Sequence, residues 1–438
     1  MRRANVLWAT GLAALIAVPV NAVEVKPYGF VLAEYTESIG RGNTMDTPFQ
    51  AVSGNKNESH QQISNINVRA TRFGLNLAGG KGPFDSDASG VIEADFNGLR
   101  QTGTATTDSL SFAPRLRLAY MAFKSGIHTV TFGQDWNNAF APLSPYSLVY
   151  VATNMFHNAG NLWNRTPQIR WDAAWNKDGA VGINTKIAVL KAFSGDESGR
   201  VATAPAGNNA TNATGSELAG SGDLSGFPAL QALVEATYKI DNRTFLAGVS
   251  AQYMRQAFSP VGSTLVPTPA PGASNPGIIM GNGQLPSSLE AVHFDAPVLS
   301  WLDVTGEGFY GHGGASANGI ATVVWNDNGT LRLPQTRGGW GQVSVKPTAA
   351  WRFTAGYGVE KIDITGMPQG TLYQNERQHV GAVWTVSPEV ALSLEVARTH
   401  SLFVNRTLAA TDGGNVLAKG SPLAGDTELI GFSTQYKF

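Results

Sequence analysis

Thr427-Glu428-Leu429-Ile430-Gly431-Phe432-Ser433-Thr434-Gln435-Tyr436-Lys437-Phe438 closes the chain. Successive side chains of a strand point to opposite faces, so Ile430, Phe432, Thr434, Tyr436 and Phe438 share one side, and Gly431, Ser433, Gln435 and Lys437 the other. A ribbon that is apolar and aromatic on one face and polar on the other suits a wall between lipid and water. The same alternation occurs in soluble sheets, so the segment needs a second witness.

The opposite end supplies it. Met1-Arg2-Arg3 is basic, Val6 to Val18 is apolar, and Val20-Asn21-Ala22 sets compact residues before Val23. This is the pattern of a secretory signal peptide, and the apolar run is too short to span a bilayer as a helix. The expected organisation is a signal peptide at 1–22 and one exported domain at 23–438. An aromatic closing residue on an exported strand is expected to serve as the assembly signal of a bacterial outer-membrane barrel.

Composition agrees. Hydrophobic residues make up 42%, yet charged residues only 14% of the 438, where a soluble domain carries about 25%. A barrel accounts for the deficit, because one face of every strand meets lipid. Lys+Arg 31 against Asp+Glu 32 leaves a formal charge of -1. No field of one sign therefore draws the protein to nucleic acid, and no such partner is expected. Zero cysteines exclude disulfides and thiolate metal sites. After residue 22 no run of 18 apolar residues occurs, which excludes a helical membrane protein.

Alternating segments recur along the chain at Lys26–Glu37, Ser64–Leu77, Gly90–Asn97, Arg115–Phe123, Ile127–Trp136, Pro167–Trp175, Val181–Phe193 and Ala232–Ile240. They continue at Thr244–Met254, Leu289–Asp295, Trp301–Tyr310, Gly339–Lys346, Trp351–Glu360, Arg377–Val386, Val390–Thr399 and Leu429–Phe438. Tight turns rich in Gly, Pro, Asn, Asp and Ser, such as Lys124-Ser125-Gly126 and Asp241-Asn242, alternate with long polar loops such as 194–229 and 257–288. Short turns on one rim and long loops on the other predict an all-β, transmembrane antiparallel barrel of sixteen strands. Its expected partners are outer-membrane lipids.

Lipid-facing side chains identify the lumen-facing ones by alternation. Ile92, Ala94 and Phe96 outward put Glu93 and Asp95 inside; Leu116, Leu118 and Tyr120 outward put Arg115 and Arg117 inside. Ile169, Trp171 and Trp175 outward leave Gln168, Arg170 and Asp172 inside. The same reasoning assigns Arg377, Lys186, Glu235, Lys239, Arg352, Glu360, His379 and Glu395 to the lumen. So many ionised groups require water, since burying an unpaired charge costs several kcal/mol. In the second segment Arg72 lies opposite Phe73, Leu75 and Leu77, while Asn65, Asn67 and Arg69 keep another register, so a bulge or strand end is expected near Ala70 to Arg72.

The third long loop, Asn137 to Thr166, differs from the others. It mixes Phe140, Pro142, Leu143, Pro145, Tyr146, Tyr150, Phe156 and Trp163 with Asn137, Asn138, Asn154, His157, Asn158 and Asn161. So apolar a loop is expected to pack on the inner wall and narrow the pore, with Asn137, Asn138, Phe140, His157 and Asn161 at the constriction.

Five runs in order, Thr71-Arg72-Phe73-Gly74-Leu75, Gly90 to Phe96, Arg115 to Tyr120, Phe132-Gly133-Gln134-Asp135-Trp136 and Arg165 to Arg170, resemble the DcaP-like outer-membrane porins. The likeness covers roughly the first third of the exported chain; Asp303 to Glu307 and Gly338 to Gln342 resemble related porins less distinctively. It implies a sixteen-stranded homotrimeric diffusion channel with an inward third loop and a basic pore for small polar or anionic solutes such as dicarboxylates. Matching positions make Arg72, Arg115, Arg117 and Arg170 pore-lining. One departure stands out: some relatives carry a helical extension before the first strand, whereas here only Val23 to Val25 separate it from the signal peptide.

With Glu93 and Asp95 beside Arg115 and Arg117, opposed charges predict a transverse field and weak anion preference. No group of residues fixes nucleophile, base and orienter together, so no enzyme is expected. The dispersed His293, His312, His379 and His400 give no metal site, and no cofactor is expected. The alternative is a barrel sheath or docking component of an outer-membrane complex, such as a porin-cytochrome electron conduit.

Overall fold

The computed structural model describes residues 23–44, 47–52, 61–98, 113–193, 221–257, 284–320, 324–325, 331–365, 367, 370–404 and 423–438. The proposed signal peptide at 1–22 and most of the loops at 194–229 and 257–288 lie outside them.

The strands are β1 (Glu24–Ile39), β2 in two segments (Gln62–Asn67 and Arg72–Lys81), β3 (Asp87–Gly98), β4 (Ala113–Ser125), β5 (His128–Trp136), β6 (Arg165–Trp175), β7 (Val181–Leu190) and β8 (Ala229–Ile240). They continue as β9 (Arg243–Ala257), β10 (Gln284–Leu299), β11 (Leu302–His312), β12 (Gln335–Thr348), β13 (Trp351–Ile362), β14 (Leu372–Thr385), β15 (Val390–Phe403) and β16 (Leu423–Lys437). Each pairs antiparallel with its neighbours in sequence, and β1 pairs with β16 from Phe30↔Lys437 to Ile39↔Glu428, closing a sixteen-stranded barrel. Phe438 completes the seam, exchanging 3.1 Å backbone hydrogen bonds with Gly29 in both directions. Closure satisfies every ladder without leaving an edge, the condition for spanning lipid with strands.

Turn chemistry sets the short rim. Gly126, Asn176 and Asp241 take positive φ of 59°, 49° and 52°, which Gly, Asn and Asp tolerate best. Asn176 also donates from Nδ2 to the Val181 carbonyl at 2.7 Å, locking its turn. Along each strand, outward residues such as Val249, Val292, Ile187 and Leu394 are exposed, while inward neighbours such as Glu235, Gln252, His293 and Glu395 are buried. Near the short turns the outward face carries Trp351 stacked on Phe353 and Trp384 at 5.7 Å, with Trp175 and Trp301 exposed. Tyr35, Tyr310 and Tyr357 are exposed outward toward the other rim. Two aromatic girdles around an apolar band mark the two membrane interfaces.

Two local irregularities matter. β2 breaks at 68–71, where Thr71 Oγ1 takes over the ladder, accepting from Leu32 N at 3.1 Å and donating to Leu32 O at 3.3 Å. The expected strand end near Ala70 to Arg72 is this break.

The second is a bulge in β4. Glu93 pairs with Leu118 and Ala94 with Leu116, so Arg117 is an extra residue. Arg117 and Leu118 consequently share the inner side, and the outward set becomes Leu116, Ala119 and Met121. The expectation that Leu118 and Tyr120 face lipid is thus corrected. Simple alternation cannot register an inserted residue, which shifts every position beyond it by one.

The core lies inside the barrel rather than within its wall. Val149, Tyr150, Met155, Phe156 and Ala159 of the third long loop pack with Trp340, Ala397 and Leu429 of the wall. Phe140, Ala141 and Leu162 pack with Leu289, Ala291 and Phe309.

Candidate functional site: a charged wall facing a bound loop

On the arc from β2 to β6, alternation and the bulge bring arginines and carboxylates into one network. Arg117 Nε donates to Glu93 Oε1 at 2.7 Å, and its Nη1 to Asp95 Oδ2 at 2.9 Å. Arg115 grips Asp95 with two parallel bonds, Nε to Oδ1 at 2.9 Å and Nη2 to Oδ2 at 2.6 Å. Such forked pairs are the strong, directional form of the ion pair. Arg72 Nε stands 3.6 Å from Glu93, whose other oxygen accepts from Tyr28 Oη at 3.1 Å. Further round, Arg170 Nη1 donates to Asp135 Oδ2 at 2.8 Å and Nε to Asp172 Oδ2 at 3.0 Å. Gln134 Nε2 fastens the bulge by donating to the carbonyls of Leu116 at 3.2 Å and Arg117 at 2.9 Å.

Exposure separates these groups. Arg117 is 2% exposed, whereas the side chains of Arg72 and Arg115 are 19% and 30% exposed and that of Asp172 23%. Arg115, Arg72 and Asp172 meet solvent; Arg117 and Arg170 act from within the wall.

Sequence reasoning missed Arg165 and Asp135, although both lie inside the quoted motifs. The Arg165 guanidinium lies 4.9 Å from the Trp136 ring and 5.8 Å from that of Trp163, an aromatic clamp that holds a cation without a carboxylate. Its electrostatic neighbours include Arg117, Arg115, Asp95 and Arg72, and among the described residues its Nη1 has no hydrogen-bond partner.

The loop at 137–164 reaches strands far from β5 and β6, where it begins and ends. Ala141 N donates to Ser250 Oγ on β9 at 3.2 Å, and Leu143 N to Glu307 on β11 at 2.7 Å. Tyr146 and Gln342 on β12 exchange bonds of 2.8 and 3.0 Å. Glu395 on β15 accepts from Leu148 N at 2.7 Å, Val149 N at 3.1 Å and the Ser147 hydroxyl, while His379 Nε2 lies 3.0 Å from it. Asn161 Nδ2 donates to Glu307 Oε2 at 3.0 Å and to Leu143 O at 3.2 Å; Asn137 Oδ1 accepts from Thr166 Oγ1 at 2.8 Å. Backbone bonds from Asn138 N to Trp136 O and from Phe140 N to Asn137 O tighten the start of the loop.

Glycines on the inner wall make room for it. A Cβ on Gly358 would stand 2.2 Å from the Ala159 carbonyl oxygen and 2.8 Å from the Phe156 ring, and one on Gly431 would stand 2.6 Å from Val149.

Arg377, assigned to the pore lining, is 0% exposed. It donates to Thr399 Oγ1 at 2.9 Å, to the Met155 carbonyl at 2.6 Å and to the Pro48 carbonyl, so it staples the first and third loops to the wall. The correct face was inferred, but two loops cover it. His157, half-buried against Phe49 at a centroid distance of 4.4 Å, accepts from Trp163 Nε1 at 3.0 Å. Burial, helped by the Arg377 charge, pulls its pKa from 6.5 down to about 3, so it is neutral.

Closure, girdles, polar interior and loop together define the class: a transmembrane β-barrel of the outer-membrane porin fold. No family model matches the chain, and no curated protein matches it. Among solved structures it is similar to the outer-membrane channel DcaP of Acinetobacter baumannii, with a TM-score of 0.63 and 18% identity over 95% of this chain and 98% of that one. An anion-selective porin from Comamonas acidovorans gives 0.52 and 12% over 95% and 100%. The trimer form of OmpT, an outer-membrane protein of Vibrio cholerae, gives 0.51 and 11% over 95% and 100%. The fold is thus shared with the kind of channel that the five sequence runs resemble.

Proposed function

We propose that the protein is an outer-membrane diffusion porin, exported by cleavage after Ala22, that passes small hydrophilic solutes with a weak preference for small anions such as dicarboxylates. The loop at 137–164 is its constriction, and the working form is a homotrimer. The folds shared with an anion-selective porin and with a protein described in trimer form are consistent with this reading.

One observation carries the preference: the two signs of charge are covered unequally. The loop contains no Asp, Glu, Lys or Arg. The wall carboxylates Glu307, Glu360 and Glu395 are 6%, 0% and 1% exposed; N–H groups of this loop bind Glu307 and Glu395, and Ile320 N, in the segment after β11, binds Glu360. Opposite them, Arg72 and Arg115 reach solvent, and among the described residues Arg165 has no carboxylate of its own. Solutes therefore pass between an uncharged loop and a wall on which accessible cations outnumber accessible anions, a local field that enriches anions. A sheath for an enclosed protein fits poorly, because this loop occupies the space a guest would need.

Planar-bilayer recordings under a KCl gradient test the reading. A reversal potential of the sign for chloride selectivity is expected, with dicarboxylates reducing the chloride current. Cation selectivity would overturn the preference, and the absence of conductance would overturn the porin itself.

A further inference from the structure

Most outward-facing polar side chains near the long-loop rim are matched locally. Arg398 Nη2 and His400 Nδ1 lie 3.3 and 3.0 Å from Asp426 Oδ1. Tyr357 Oη donates to Glu376 Oε2 at 3.0 Å, Tyr35 Oη to Glu37 at 2.7 Å, and Arg255 Nη1 to Gln284 Oε1 at 3.1 Å. Arg337 on β12 and Lys361 on β13 break the pattern. They are directly opposed in the ladder register, both are exposed, and among the described residues neither is ion-paired. Like charges set directly across a strand pair are destabilising unless an anion joins them.

Their position indicates where that anion comes from. Trp351, Phe353, Ala355, Tyr357, Val359 and Lys361 alternate onto the outward face of β13, and Trp351 belongs to the aromatic girdle at the short-turn rim. Ten residues at about 3.3 Å each, tilted by about 40°, lift Lys361 about 25 Å along the membrane normal, the height of a barrel's apolar band. Arg337 and Lys361 thus stand at headgroup level in the leaflet on the long-loop side. Tyr310 of β11, which is exposed, stands opposite Arg337 in the ladder, and Gln374 of β14 stands opposite Lys361. Glu290 lies beyond Tyr310, and Glu376 is already engaged by Tyr357 and Gln374.

We propose that Arg337 and Lys361 form a lipid site that takes a phosphorylated headgroup of the outer leaflet. Two adjacent cations with their N–H donors directed outward suit the three oxygens of a phosphate monoester, and the apolar surface below them suits its acyl chains. The site depends on the barrel's position in the bilayer and is independent of the transport reading.

Native mass spectrometry of the full-length mature protein in detergent, titrated with bisphosphorylated lipid A, tests the proposal. Wild type is expected to retain lipid A and release phosphatidylcholine. The double variant R337Q/K361Q should bind lipid A about tenfold more weakly, and each single variant by an intermediate amount. R398Q, whose cation is already paired with Asp426, should bind like wild type, and heat-modifiable electrophoretic migration confirms that each barrel is closed. Unchanged binding by the double variant would overturn the site. So would displacement of lipid A by equimolar inorganic phosphate, which marks a bare anion site, or loss of the oligomer with lipid A binding intact, which marks a contact between copies of the chain.

Discussion

At the scale of single residues, the network on β2 to β6 divides into charges that neutralise one another and one that does not. Arg115 and Arg117 are tied to Asp95 and Glu93, so removing either guanidinium takes a charged partner from a buried carboxylate. Arg165 is held by Trp136 and Trp163, so Arg165→Gln removes a positive charge without unpairing an anion. The expected result is an intact barrel whose chloride-to-potassium permeability ratio falls by about twofold, read as a reversal-potential shift toward zero. An unchanged ratio would show that Arg165 does not act on permeating ions.

His157 supplies a second prediction at this scale. Its pKa is lowered to about 3 while the loop is docked and returns toward 6.5 when the loop is released. The docked state therefore binds fewer protons, so docking is fully stable above the free value and weakens as pH falls below it. Current fluctuations should become more frequent between pH 7 and pH 4 in wild type, and this change should be smaller in His157→Gln. Equal pH dependence in the two would assign the effect to another group.

At the scale of elements, the bulge in β4 is a device with one purpose. Arg117 is the inserted residue, so its deletion leaves Arg115 and Leu118 inward and Leu116 outward, on the faces they already occupy. The deletion variant should form a barrel but lose about 1.5–3 kcal/mol, because buried Glu93 keeps only the more distant Arg72, at 3.6 Å, and Asp95 only Arg115. A urea midpoint lower than wild type, with selectivity shifted toward cations, is the expected pair of results; an unchanged midpoint would refute the role given to Arg117.

The inner glycines make an equally local statement about the third loop. Gly358→Val places a side chain where the Ala159 carbonyl and the Phe156 ring now lie, and should displace the loop and raise single-channel conductance without opening the barrel. Conductance equal to wild type would mean that this contact does not hold the constriction. These glycines were visible in the sequence, but nothing local distinguishes one that admits a loop from one that merely interrupts a strand.

At the scale of the whole molecule, the sixteen crossings and both girdles follow from a period of two repeated round a closed ladder. The oligomer is expected to be a trimer by cross-linking and native mass in mild detergent, with the mature chain starting at Val23 by intact mass. A monomer retaining full conductance would remove the trimer from the proposal.

Alternation, turn residues and loop lengths were enough to determine that this chain is a transmembrane β-barrel, how many times it crosses, and which side of the wall holds Glu93, Asp95, Arg115 and Arg170. Those properties are local, because a strand's two faces are set by the parity of its own residues. Tertiary structure alone decided that Arg117 is a bulge, that Leu118 and Tyr120 turn inward, that Arg377 is a covered staple rather than a lining charge, and that Arg165 is held between two tryptophans. Each of these depends on which residue of a distant strand or loop arrives opposite, and that is settled only when the ladder closes and the loop docks.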